Sequence, residues 1–162
     1  DEYLFHTYIQ DICQRLLGDT VNLKDEQIIF ALSDQNVANA AFSHNKKDTF
    51  KIIYLTEGML NMCENEDQLA FVLAHELGHY EEYKRQSLHQ NTKAEETAAD
   101  LRAIQKMAKA GYNLEEAHKI AAKLFNSSYI SIESLKDPHT NDKTRVNTID
   151  AMIIATRKQV IL

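Results

Sequence analysis

The feature that most constrains this 162-residue chain is a helical segment that is apolar on every side and then carries ionisable residues. Residues 69–74 read Leu-Ala-Phe-Val-Leu-Ala, and His75, Glu76 and His79 follow within one turn or two. A helix that is apolar all round is expected to be buried, and a buried carboxylate or imidazole needs a partner. The fold must therefore bring partners to this helix, or an ion must bind there.

A metal ion would satisfy all three side chains at once. His75 and His79 are four residues apart, so both rings project from one helix face and can reach one Zn²⁺ at ~2.0–2.1 Å. Glu76, about 100° further round the helix, can contact a water on the metal without being a ligand. This is the H-E-x-x-H arrangement. The competing interpretation is a structural histidine pair that makes hydrogen bonds in the core.

A catalytic zinc site needs a third protein ligand, and residues 95–100, Glu-Glu-Thr-Ala-Ala-Asp, offer candidates. Glu96 and Asp100 are four residues apart and share a face of a predicted Ala-rich helix. We predict that Glu96 binds the metal and that Asp100 accepts a hydrogen bond from the far nitrogen of a ligand histidine. Glu95, which points about 100° away, is the alternative ligand. A solvated acidic helix face is the alternative interpretation of the whole segment.

The chain as a whole predicts strands first and helices after. Apolar periodicity and turn residues predict a helix over 2–17, strands over 27–32, 37–42 and 49–55, and helices over 57–63, 66–83, 93–110, 114–125 and 141–158. This order is typical of an α+β domain with a small sheet, and the length fits one domain over residues 1–162. Gly78 within a predicted helix costs ~1 kcal/mol relative to Ala, so it indicates either a close backbone approach or a tolerated defect.

Composition excludes other classes of partner. Lys and Arg number 18 against 24 Asp and Glu, which leaves no concentrated basic face for a nucleic-acid backbone. No apolar run approaches the ~18–20 residues of a membrane span, so no transmembrane segment is predicted and the chain as given is expected to be soluble. Cys13 and Cys63 lack zinc-type spacing and are predicted to be buried thiols, with one disulfide as the alternative.

With His-Glu-Leu-Gly-His at 75–79 and Glu-Thr-Ala-Ala-Asp at 96–100, the chain resembles the gluzincin peptidases. More narrowly, it resembles the family of the membrane protease HtpX and the CAAX-prenyl zinc proteases. Further similar segments lie at residues 39–42, 55–60, 65–79 and 107–113, within a resemblance that covers about residues 25–147. The resemblance implies a zincin-like fold, in which a small, mostly antiparallel sheet packs on a mainly helical body, and one Zn²⁺ per chain.

The resemblance also implies a zinc-dependent endopeptidase that hydrolyses extended or misfolded protein segments, with Glu76 as general base on a zinc-bound water. A non-catalytic or latent zinc-binding module for protein quality control is the alternative. The substrate would be a protein or peptide that pairs with an edge strand formed by Asn39, Ala40, Ala41 and Phe42. Soluble relatives of this kind imply a location outside the cytoplasm, in a bacterial periplasm or secreted.

Two residues near the C-terminus enter by the same resemblance. The family carries a His-Pro segment with an Arg six residues after the His, and here Pro138 precedes His139 while Arg145 keeps the spacing. His139 is expected to steady the tetrahedral intermediate or to cap the zinc in a resting state, unless it is a loop histidine at a helix start. Arg145 is expected to orient that loop or the oxyanion. The family's Gly-rich turn is replaced by residues 43–48, where His44 is expected to be a surface residue.

Overall fold

A computed structural model of the chain describes residues 2–45, 47, 50–85, 93–126 and 144–161. Within these residues each predicted helix and strand is present, with ends shifted by a few positions, while residues 141–143 of the last predicted helix lie outside them. The elements are α1 (Glu2–Leu17), β1 (Ile28–Ser33), β2 (Ala40–His44), β3 (Lys51–Thr56), α2 (Glu57–Met62), α3 (Glu66–Arg85), α4 (Lys93–Ala110), α5 (Leu114–Asn126) and α6 (Thr144–Ile161). The architecture is mixed α+β and mainly helical, as predicted.

The sheet is mixed, and the expectation of a mostly antiparallel sheet is corrected. Its strand order is β1-β3-β2, with β3 antiparallel to β2 and parallel to β1. The short β2–β3 hairpin fixes the antiparallel pairing. Because β3 buries Ile53 and Leu55, it takes the central position, and β1 pairs along its other side. In the part of the chain that the structure describes, β2 is therefore an edge strand.

The long helix α3 lies at the centre of the packing and contacts α1, α4, α5 and β2. It is buried continuously from Gln68 to Tyr80, which confirms the burial expected from the apolar run. At Gly78 a Cβ atom would lie 3.0 Å from both the Cα and the carbonyl oxygen of Ala99. Close backbone approach is therefore the explanation of Gly78, and not a tolerated defect. Glycine lets the backbones of α3 and α4 approach closely beside the two histidines.

The two cysteines are free thiols, so the disulfide alternative is wrong. Cys13 is fully buried and Cys63 is partly buried, and burial raises the pKa of the Cys63 thiol to about 12. Both side chains pack with the hydrophobic core. Among the described helices, none has the combined length and apolar character that crossing a bilayer requires.

A tight turn leads from the sheet into the helical part of the chain. The fully buried Thr56 caps α2, because its hydroxyl accepts a hydrogen bond from the N–H of Met59 at 3.1 Å. The same hydroxyl donates to the carbonyl of Val37 at 2.6 Å. The N–H of Gly58 donates to the carbonyl of Gln35 at 2.9 Å. The loop before β2 therefore lies directly against the first turn of α2.

Replacing Gly58 by alanine is expected to destabilise the protein. A Cβ at this position would lie 2.1 Å from the carbonyl oxygen of Asn36, so the backbone of that loop must move. Such overpacking typically costs about 1–3 kcal/mol. Thermal unfolding of Gly58→Ala checks the prediction, with Asn61→Ala on the exposed side of the same helix as the control. A Gly58→Ala protein as stable as Asn61→Ala would contradict it.

Candidate metal centre

Three buried side chains from two helices converge on one point. α3 presents His75 and His79, one turn apart, and α4 presents Glu96. The Nε2 atoms of the two histidines are 3.1 Å apart. The carboxylate of Glu96 reaches both rings, with Oε2 at 3.1 Å from Nε2 of His75 and Oε1 at 3.0 Å from Nε2 of His79. Each of the three residues is at most 6% exposed.

The donor set and its spacing suit a zinc ion. Two imidazole nitrogens and one carboxylate oxygen are typical ligands of catalytic zinc. Tetrahedral coordination at ~2.0–2.1 Å separates two ligand atoms by about 3.3 Å, close to the observed distances. Among the His, Cys, Asp and Glu side chains of the described residues, these three form the group that could hold a metal ion. Their ligand atoms all lie within 4.8 Å of one another. Glu95, the alternative ligand, is not in the group.

Asp100 orients the ring of His75 through the nitrogen that does not face the other two candidate ligands. Nδ1 of His75 donates to Oδ1 of Asp100 at 2.8 Å, which leaves Nε2 pointing towards Glu96 and His79. Burial tends to lower the pKa of His75, but its hydrogen bonds to Asp100 and Glu96 outweigh burial and raise the pKa to about 10. The metal-free pocket therefore favours a protonated His75, and binding a metal ion at Nε2 would release that proton.

Arg145 completes this arrangement from α6. Its Nε donates to Oδ2 of Asp100 at 3.0 Å and its Nη2 donates to Oδ1 at 2.8 Å. Burial tends to raise the pKa of Asp100, but the bonds from His75 and Arg145 outweigh it and lower that pKa. The expectation that Arg145 orients the loop of His139 or the oxyanion stays a prediction, and the hydrogen bonds that the structure describes for its guanidinium are with Asp100. His139 lies outside the described residues.

Glu76 lies beside the group without belonging to it. It is 2% exposed, and its Oε1 is 3.8 Å from Nε2 of His75. The next residue along a helix points about 100° away, so Glu76 reaches the rim of the group and not its centre. A buried carboxylate at this distance is placed to accept a proton from a molecule bound at the same point.

The edge strand β2 packs on α3 through aromatic rings that follow the two histidines along the helix. The ring of Phe42 is 5.6 Å from that of Tyr80 and 5.7 Å from that of Tyr83. His44, expected at the surface, is instead half-buried and stacks on Tyr83 with ring centroids 4.1 Å apart. Sequence analysis missed this aromatic contact, although Tyr83 follows His79 by four residues and so shares the face of α3 that carries both histidines.

Comparison with known families decides the identity. The family model described as Peptidase family M48 matches residues 4–90, more than half of the chain, including His75, Glu76 and His79. The chain belongs to peptidase family M48. No curated protein matches the sequence. M48 peptidases are typically zinc-dependent metallopeptidases that act on proteins. The match ends before Glu96, so the third ligand of an M48 zinc site is indicated here by geometry and spacing.

Proposed function

We propose that this M48 peptidase is a zinc-dependent endopeptidase of the gluzincin type that hydrolyses extended or misfolded protein segments. The observation that carries the proposal is the convergence of His75, His79 and Glu96 within 4.8 Å, with the carboxylate of Glu76 alongside. The proposal includes a single zincin-like catalytic domain over residues 1–162 that is similar to the HtpX and CAAX-prenyl proteases. Its location outside the cytoplasm remains a prediction from that resemblance.

His75, His79 and Glu96 would hold the ion, and Asp100 would keep His75 in the tautomer that presents Nε2. When bound, Zn²⁺ supplies Lewis acidity that polarises a scissile carbonyl and makes water a better nucleophile. The deep burial of the three ligands supports this role, because a low-polarity environment strengthens the attraction between the ion and its ligands. One zinc ion per chain is proposed.

Glu76 would move the proton. In peptide hydrolysis the attacking water loses a proton and the leaving amine gains one, and a single carboxylate can serve both steps. Glu76 is suited to this task because it is buried and within 3.8 Å of a proposed ligand atom. By the family resemblance, His139 is proposed to steady the intermediate or to cap the zinc at rest.

The edge strand would bind the substrate. Residues Asn39, Ala40, Ala41 and Phe42 lead into or form β2, which is at the edge of the described sheet and packs on α3. An extended peptide can add to such an edge through main-chain hydrogen bonds, which require no particular sequence. In folded proteins most extended backbone is already paired within a sheet, so this mode of binding favours misfolded or unfolded substrates.

Removal and return of zinc tests the function. A fluorescently labelled, permanently unfolded protein is expected to be cleaved by the full chain, and a chelator is expected to stop cleavage completely. Adding back Zn²⁺ in slight excess over the chelator should restore the rate, whereas Mg²⁺ should not, because it takes oxygen ligands in octahedral geometry. A rate unaffected by chelation would refute the proposal, and zinc binding without cleavage would favour the latent module.

A further inference from the structure

Arg145 joins helix α6 to the candidate metal centre through a chain of buried charged groups. The guanidinium, 8% exposed, makes two hydrogen bonds to the carboxylate of Asp100 at 2.8 and 3.0 Å. Oδ1 of that carboxylate also accepts the hydrogen bond from His75 at 2.8 Å. One carboxylate on α4 is thus shared between a side chain of α6 and a proposed zinc ligand of α3.

Two further described groups lie against the guanidinium of Arg145. Its Cζ lies 4.1 Å from the centre of the Phe125 ring, and its Nη2 is 3.8 Å from Oε2 of Glu96. A buried guanidinium is costly unless it is paired, and the paired carboxylate is costly in turn if the guanidinium leaves. Withdrawal of α6 would therefore expose a charge and release Asp100 from one of its two orienting partners.

We propose that Arg145 is a positioning residue that couples the docking of α6 to metal binding. With α6 docked, Arg145 holds Asp100, and Asp100 holds the His75 ring with Nε2 towards Glu96 and His79. A bound ion fixes the same ring, so it strengthens the attachment of α6, because coupling between two binding events is reciprocal. This inference rests on the proposed function only in requiring that the centre binds zinc.

The first test measures the Zn²⁺ dissociation constant of the full chain by competition with a coloured chelator. Arg145→Gln is expected to weaken zinc binding about 10–100-fold, the usual effect of removing a group that supports a ligand histidine. The zinc dissociation constant of Arg145→Lys should lie between those of the wild type and Arg145→Gln, because lysine keeps the charge but cannot make the bidentate hydrogen bond. If Arg145→Gln does not fold, the zinc dissociation constant of Arg145→Lys is compared with that of the wild type instead.

Arg157 provides a matched control on the same helix. It is half-exposed and pairs with Glu115 of α5 at 2.7 Å, so it also attaches α6 to a neighbour but without reaching the metal centre. Arg157→Gln is expected to leave the zinc dissociation constant within about twofold of the wild type, since an exposed ion pair contributes little. Equal weakening by Arg157→Gln would show a general effect of loosening α6 and would overturn the specific role of Arg145.

Hydrogen exchange of the α6 amides supplies a second readout. Zn²⁺ is expected to slow exchange in α6 of the wild type and of Arg157→Gln, and to have much less effect in Arg145→Gln. In a double-mutant cycle, the zinc affinity of the double variant Arg145→Gln, Asp100→Asn should differ by less than about threefold from that of Asp100→Asn alone, because both substitutions act through the carboxylate of Asp100. The visible spectrum of bound Co²⁺ should shift in both single variants, since it reports ligand geometry.

The outcomes are separable from those of the proposed function because no readout uses peptidase activity. An unchanged zinc dissociation constant in Arg145→Gln overturns the coupling while leaving the peptidase proposal intact. A fall in the stability of the metal-free protein with unchanged zinc affinity does the same, because it marks a purely structural role. A wild type that does not bind Zn²⁺ refutes both proposals.

Discussion

Replacing Glu76 by glutamine is expected to abolish measurable peptide hydrolysis while zinc stays bound. Glutamine has nearly the shape of glutamate but cannot accept a proton at neutral pH, so the variant removes the proposed general base alone. General bases typically contribute about 10²–10⁴-fold to a rate, and we expect a loss of at least that size in kcat. Cleavage of the labelled unfolded protein is measured beside the wild type, with the zinc content of both preparations determined first.

The proposed role of Glu76 can be contradicted in two ways. Loss of zinc from Glu76→Gln would mean that Glu76 is a ligand, contrary to its 3.8 Å separation from Nε2 of His75. Equal activity in the two proteins would mean that cleavage comes from another residue or from a contaminating protease. Glu82, on the same helix and paired with Arg102 at 2.6 Å, offers a control, because Glu82→Gln should retain cleavage.

The second large effect is expected at Glu96, which lies beyond the part of the chain that the family model matches. Glu96→Gln is expected to raise the zinc dissociation constant by at least about 100-fold, more than the about 10–100-fold typical of changes outside the ligand set. The loss should also remove most of the stabilisation by zinc, which amounts to about 2.7 kcal/mol when the free ion is at 100 times its dissociation constant.

Glu95 is the natural control for this prediction, because it is adjacent to Glu96 and was the alternative ligand from sequence. It is only partly buried, whereas Glu96 is 2% exposed between the two histidines. Glu95→Gln is expected to bind zinc like the wild type and to show the same rise in melting temperature on zinc addition. If Glu95→Gln lost zinc and Glu96→Gln kept it, the third ligand would be Glu95, and α4 would have to be rotated by about 100°.

Much of the centre was predictable because its parts are local. The spacing of His75 and His79 follows from the period of one helix, and an apolar helix carrying them had to be buried. Glu96 and Asp100 were found in the same way, as two carboxylates on one face of a second helix. Their convergence with the histidines required α3 and α4 to pack closely, which Gly78 indicated and its contact with Ala99 bears out.

Other features depended on residues far apart in the chain. The partner of Arg145 lies 45 positions earlier, and nothing in the local sequence around either residue predicts their pairing. The polar turn around His44 predicts a surface residue, but the ring of His44 stacks on Tyr83. The direction of β1 was also missed, because strand periodicity reports which face is buried and not which neighbour pairs.

The sequence by itself determined where the helices and strands lie, which face of α3 carries the histidines, and which acidic helix could complete a metal site. These are short-range properties, set by side-chain period, capping and the cost of burying charge. Only the tertiary structure decided that Asp100 lies between His75 and Arg145, that β3 is central, and that β2 packs on α3. Such contacts follow from how whole elements pack against one another, because one shared core must accommodate all of their apolar faces at once.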